Sequence, residues 1–323
     1  MRSKTVIFLV GPTASGKSEL AVALAKKIGG EIISADSMLV YKGMDIGTAK
    51  PSRQERLGVP HHGIDLIPQS KNYSVFSYRR YALKTIKGVL KRGKTPIIAG
   101  GTGFYVRALL EGLSPHPGAN PAIRRKLDAE AQRKGLAALY SRLSRVDPVR
   151  AKEIGPHNQR RIVRALEIHE VSGKKASSAS RKSQGLRALG YEPVVIGIHR
   201  DRQALYERIN KRVERMFRNG LVPEVKRLMR RKFSLTALQG VGYKEVVECL
   251  KKGTDADFKK YRGLPPAVLK EAVAKIQQTT RRFAKRQWTW FKRETGIRWV
   301  WWPEGARVAD IARFIQRMIG GTK

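Results

Sequence analysis

The sequence predicts an α/β fold: a parallel sheet flanked by helices and carrying an all-helical insertion. Three observations predict it. The first is Gly11-Pro12-Thr13-Ala14-Ser15-Gly16-Lys17-Ser18, which fits G-x-x-x-x-G-K-[ST] in full, follows the apolar run Thr5 to Val10 and opens into the helical pattern Glu19 to Lys27. The second is an alternation of strand and helix patterns that continues to Glu111. The third is a basic, strand-free block after a Pro/Gly segment, ended by a returning strand pattern at Pro193 to Ile198.

A strand that ends in a tight glycine turn and restarts as a helix makes successive backbone N–H groups converge on one anion at the positive end of the helix dipole. Lys17 then reaches the outer phosphates as a point charge, and the Ser18 hydroxyl can join the shell of a magnesium ion. A plain turn accounts for Gly11 and Gly16 but not for the Lys-Ser pair. The motif in this context makes the fold P-loop NTPase-like, with Gly11 to Ser18 as the phosphate-binding residues. It leaves open whether phosphorus is attacked or the phosphates depart as a leaving group.

Glu31 to Ser37 reads as a short buried strand with Asp36 at its carboxyl end, which in an open parallel sheet faces the ligand crevice. Capping the next helical turn is an equal alternative for Asp36. Met38 to Pro51 reads as an irregular loop over the site, and His61-His62 as surface loop rather than a metal pair. Ser74 to Lys91 is an amphipathic helix. Thr95 to Ala99 is another buried strand, running into Gly100-Gly101-Thr102-Gly103 and a helix over Phe104 to Glu111; Thr102 thus stands at a second strand-to-helix loop on the same sheet edge.

Pro115, Pro117 and Gly118 mark a module boundary. Helices are expected over Pro121 to Lys134, Leu136 to Ser144, Pro148 to Ile154 and Asn158 to Val171, and a mobile stretch over Lys174 to Gly185. The expected division is therefore a core of residues 1–115 plus 190–323 around an insertion of residues 116–189. After the strand at Pro193 to Ile198 the remainder reads as helical: Asp201 to Asn219, then a glycine-rich loop Gln239-Gly240-Val241-Gly242-Tyr243-Lys244 whose aromatic and cation suit a stacked base and its phosphate, then Glu271 to Arg293. That last helix has Lys275, Gln278, Arg282 and Arg286 along one stripe; it reads equally as an ordinary amphipathic helix or as one laid along a nucleic-acid backbone.

The chain of 323 residues holds 66 Lys+Arg against 26 Asp+Glu, a formal +40 spread along its length. That excess points to a polyanionic partner, with a generally cationic surface as the plainer reading. Cys249, the single cysteine, excludes a disulfide framework and a cysteine-based zinc finger and implies a reducing compartment. No apolar stretch approaches the ~20 residues of a membrane span, so a cytoplasmic protein without a membrane partner is expected.

Several separated blocks together resemble the bacterial tRNA dimethylallyltransferases: Gly11 to Ser18; Asp36-Ser37 with Tyr41 to Pro51; Gly100-Gly101-Thr102; Gln159-Arg160-Arg161 through Ala165-Leu166-Glu167; Gly240 to Tyr243; and Ala284-Lys285-Arg286-Gln287. Members commonly carry Gln where this chain has Leu39. The resemblance implies transfer of a dimethylallyl group from dimethylallyl diphosphate to the exocyclic N6 amine of adenosine 37 in tRNA, by a magnesium-dependent enzyme that binds the anticodon stem-loop; a monomer is expected. It implies Asp36 as general base, with Lys17, Thr102 and Arg212 absorbing charge on the departing diphosphate and Ser18 as the metal residue. It maps tRNA contacts to Asp36, Ser37, Met38, Leu39, Thr102, Arg124, Gln159, Arg160, Arg161, Ile162, Val163, and Gln239, Gly240, Val241, Gly242, Tyr243 and Lys244. Two rivals stand beside it: a small-molecule kinase explains the first loop but not the cationic segments downstream, and a non-enzymatic RNA-binding protein explains the charge but not an intact Gly16-Lys17-Ser18.

Overall fold

Val6 to Val10 of strand β1 (Thr5–Val10) are all buried, because the strand is covered on both faces. Ile7 and Leu9 pack with Leu20 and Leu24 of α1 (Lys17–Ile28), while Val6, Phe8 and Val10 pack on the other side. The computed structural model describes residues 4–178, 183–252 and 264–320. It divides into two compact units, residues 1–110 with 186–323, and residues 111–185.

The first unit is built on a parallel sheet. Its strands are β1, β2 (Gly30–Ser34), β4 (His61–His62), β6 (Thr95–Gly100), β7 (Glu192–His199) and β8 (Ile297–Trp301), in the order β4-β2-β6-β1-β7-β8. A separate two-residue pairing joins β3 (Tyr41–Lys42) to β5 (Ile67–Pro68). Helix α1 and the C-terminal α12 (Val308–Gly320) cover one face. Helices α2 (Val75–Lys91) and α3 (Gly103–Leu110), with Phe291 of α11 (Pro266–Lys292), cover the other. Ser74 caps α2 by accepting the Ser77 N–H, which sets its start.

Two sequence expectations are corrected here. His61-His62 is not loop but an edge strand paired with Ile32 and Ile33; His62 meets the Glu31 carboxylate at 2.7 Å and the His61 ring meets Val59 O at 2.8 Å. The tail is not all helical either. Strand β8 pairs with β7 from Val195↔Ile297 to His199↔Trp301. At the sheet edge only Val300 of β8 is buried, so the strand lacks the apolar run that betrays a central one.

A second core in this unit joins α8 (Arg202–Arg218), α9 (Leu221–Met229), α10 (Tyr243–Lys252) and the start of α11 to Tyr41 of β3 and its loop neighbours Val40 and Met44. The other unit, residues 111–185, packs α4 (Pro121–Lys134), α5 (Leu136–Val146), α6 (Pro148–Ile154) and α7 (Gln159–Ser172) around Leu127, Leu139, Leu143, Ile162 and Leu166. Within it Glu167, fully buried, accepts from Arg124, Arg164 and the Asn120 N–H. The expected mobile stretch is partly structured: Ala176–Ser178 forms a 3₁₀ turn, and Ser177 donates its N–H and hydroxyl to Asp147 at 2.8 and 2.6 Å. Residues 179–182 of that stretch lie outside the described residues.

Candidate active site

Because β1, β2 and β6 are parallel neighbours, their carboxyl ends deliver three loops to one edge: Gly11 to Ser18, Asp36-Ser37, and Gly101-Thr102. Gly16 is the N-cap of α1 at φ +94°, and a Cβ there would sit 2.9 Å from the Trp302 ring. The carbonyls of the first loop are gripped from behind. Arg200 Nε donates to Ser15 O and Arg208 Nε to Ala14 O, both at 2.9 Å, while Lys17 Nζ donates to Pro12 O. Arg200 itself lies 4.0 Å from the centroid of the Trp302 ring. The first-turn N–H groups of α1, which a helix cannot satisfy internally, remain for an anion. Ser18 is exposed at that end.

Asp36 follows β2. Its Oδ1 accepts the Met38 N–H at 2.8 Å, and residues 37–40 are turn, so the carboxylate closes an Asx turn rather than capping a helix. Thr102 faces it from the next loop: its Oγ1 accepts the Ser37 N–H at 3.0 Å and its N–H donates to Ala35 O at 3.1 Å. From α8, Arg212 donates to Thr48 O at 3.0 Å.

Lys17, Arg212 and Asp36 feel one another. Burial lowers the Lys17 ammonium to about 7, with Asp36 pulling it back up and Arg212 pushing it further down. Burial likewise lowers Arg212, again opposed by Asp36. Two basic groups and one carboxylate, all half-buried, thus act on one another at the sheet edge, an arrangement that a polyanion would complement.

The sequence-predicted site residues divide. Gly11 to Ser18, Asp36, Ser37, Thr102 and Arg212 come together as described, with Met38 tied to Asp36. The stretch Gln239 to Lys244 does not form the expected stacking loop: Tyr243 is fully buried at the start of α10, its hydroxyl donating to Glu224 at 2.6 Å, and Gly240 and Gly242 are buried too. Burial and the Glu224 carboxylate push that hydroxyl well above its ordinary range. Of this stretch Gln239 and Lys244 are exposed. In the separate helical unit Gln159, Arg160 and Arg161 are exposed, whereas Ile162 and Val163 belong to that unit's core. Sequence reading gave no role to Arg200, Arg208, Glu224 or Gln287; the first two act on a loop 185 and 194 residues away along the chain, and no local pattern signals that.

The parallel sheet, with the glycine loop Gly11 to Ser18 at its carboxyl edge, defines a P-loop-like fold. The family model for IPP transferase matches residues 39–294, and that for isopentenyl transferase matches residues 4–65. The tRNA dimethylallyltransferase of Pelotomaculum thermopropionicum is 43% identical over 99% of this chain and 98% of its own length, and that of Geobacter sulfurreducens is 45% identical over 93% of each. The crystal structure of tRNA isopentenylpyrophosphate transferase from Bacillus halodurans superposes with a TM-score of 0.68 at 35% identity, covering 99% of this chain and 98% of that one. The chain belongs to the tRNA dimethylallyltransferase family.

Proposed function

We propose that this chain transfers the dimethylallyl group of dimethylallyl diphosphate to the N6 amine of adenosine 37 in the anticodon stem-loop of tRNA. The observation that carries the reading is the convergence of Lys17, Arg212 and Asp36, close enough to act on one another electrostatically, on the sheet edge that also carries Thr102. An exocyclic adenine amine is a weak nucleophile because its lone pair is delocalised into the ring, so its proton must leave as the new bond forms. The N6–C1 bond forms, the C1–O bond breaks with its electron pair going to diphosphate, and the N6 proton passes to the Asp36 carboxylate. The first-turn amides of α1, Lys17, Arg212 and the Thr102 hydroxyl stabilise the charge that builds on the leaving oxygens.

Magnesium fits as a shared ligand rather than a resident one. Among the described residues no group of His, Cys, Asp or Glu is arranged to hold a metal ion alone. Ser18, exposed at the start of α1, would supply the protein oxygen for a cation bound to the diphosphate. When bound, magnesium supplies charge neutralisation on the leaving group. For tRNA the reading uses Ser37, Met38, Leu39 and Thr102 at the sheet edge, Gln239 and Lys244 as exposed positions of the first unit, and Gln159, Arg160 and Arg161 as exposed positions of the helical unit.

Incubation with labelled dimethylallyl diphosphate, unmodified tRNA and magnesium should place label in the RNA. Asp36→Asn keeps the acceptor for the Met38 N–H but cannot take a proton, so single-turnover transfer should fall about 10²–10⁴-fold with donor affinity nearly kept. A variant running within a few-fold of wild type would sink the base assignment.

A further inference from the structure

Gln287, on α11, is buried to 7% exposure and uses both ends of its amide. Its Oε1 accepts the Thr13 N–H at 2.8 Å, and its Nε2 donates to Gly101 O at 2.8 Å. One side chain therefore ties the diphosphate loop to the loop that carries Thr102. The approach is close: a Cβ on residue 101 would lie 2.3 Å from Nε2, so only glycine lets the amide reach that carbonyl. One turn on, Trp290 covers Gly103, where a Cβ would meet the ring at 2.3 Å, and Phe291 is buried in the sheet core. Thr102 in turn holds Ser37, the neighbour of Asp36.

From these contacts we infer that Gln287 is a positioning residue that fixes the separation between the leaving diphosphate and the base that accepts the N6 proton; this rests on the transfer reaction proposed above. The amide is the right group for the task. It joins a donor on one loop to an acceptor on the other, whereas a carboxylate lacks the N–H for Gly101 and an ammonium lacks the acceptor for Thr13. Allylic displacement needs nucleophile, carbon and leaving oxygen aligned, and a shift of about 1 Å in such an arrangement costs on the order of 10²-fold in rate.

The test compares wild type with Gln287→Met, which keeps volume but neither hydrogen bond, and Gln287→Glu, which keeps the acceptor and sets a negative charge against Gly101 O. Single-turnover prenylation at saturating donor and tRNA, donor affinity, tRNA affinity and melting temperature are measured for each. Expected is a rate about 10- to 100-fold lower in both variants, with donor and tRNA affinities within about three-fold of wild type and a melting temperature that does not track the rate. Gln287→Met at the wild-type rate, or a loss that appears only in donor affinity and vanishes at saturation, overturns the positioning role. If Gln287→Met does not fold, Gln287→Glu alone decides by the same criteria. A wild-type chain that transfers no label in these tubes overturns the functional reading itself, and the inference with it, an outcome visibly different from a failure confined to the variants.

Discussion

Burial makes the charged form of Lys17 less stable in the folded protein than in the unfolded chain. With an ammonium lowered to about 7 against an ordinary 10.5, the unfolded chain binds more protons than the folded one between those values. Stability contributed by this group therefore rises with pH across that window, and the full cost is present below pH 7. Lys17→Met should melt a few degrees above wild type at pH 6, where 1 kcal/mol corresponds to roughly 2–4 °C in a domain of this size, and the gap should close by pH 10.5. The same variant should lose donor binding. In wild type, diphosphate binding should draw a proton onto Lys17 at pH 8 and almost none at pH 6, measurable by titration calorimetry in buffers of different ionisation enthalpy. Equal heats in all buffers at pH 8 would show that Lys17 is already fully charged. Lys17, Asp36 and Thr102 were legible from sequence because each follows directly on a strand end in a recognisable motif. Arg200 and Arg208 were not, and Gln287 stood only as the end of a family block with no role, because what each does is set by the packing of a helix or strand far along the chain.

At the level of elements, the segment with the most misleading sequence is Gly240-Val241-Gly242-Tyr243. Its glycines and aromatic ring look like a nucleobase platform, yet the ring fills the core between α9, α10 and the loop after β3. Glu224 explains why. That one buried carboxylate accepts the Tyr243 hydroxyl and the N–H groups of Asp45, Ile46 and Gly47, at 2.6 to 3.3 Å, and so holds the loop whose Thr48 carbonyl takes Arg212. Tyr243→Phe removes one hydrogen bond to a charged group and should cost about 1.5–3 kcal/mol of stability, seen as a lower denaturant midpoint, while tRNA affinity stays within about two-fold. A large loss of tRNA affinity in a fully folded variant would restore the stacking role. The alternation that marked β1, β2, β6 and β7 was readable because both faces of those strands are buried; β8 escaped notice because an edge strand buries so little of itself.

The molecule as a whole carries +40, and charge on that scale should dominate how it meets RNA. Affinity for tRNA should fall steeply with salt, at a slope in log units of about −0.7 to −0.9 per phosphate contacted, while donor affinity, set within the loops at the sheet edge, changes far less. Filter-binding isotherms from low to moderate ionic strength give both slopes, and a flat tRNA response would reduce the charge to surface decoration. The chain also enters and leaves its helical segment at one place in the first unit. Leu186 N–H donates to Leu109 O at 2.9 Å, so the residues flanking the 111–185 segment are already adjacent. A few glycines can replace that segment without stretching the sheet. The shortened chain should still take up dimethylallyl diphosphate, measured by donor binding, because the glycine loop and its neighbours at the sheet edge belong wholly to the first unit; the helical segment is then a removable cassette, bracketed by one hydrogen bond.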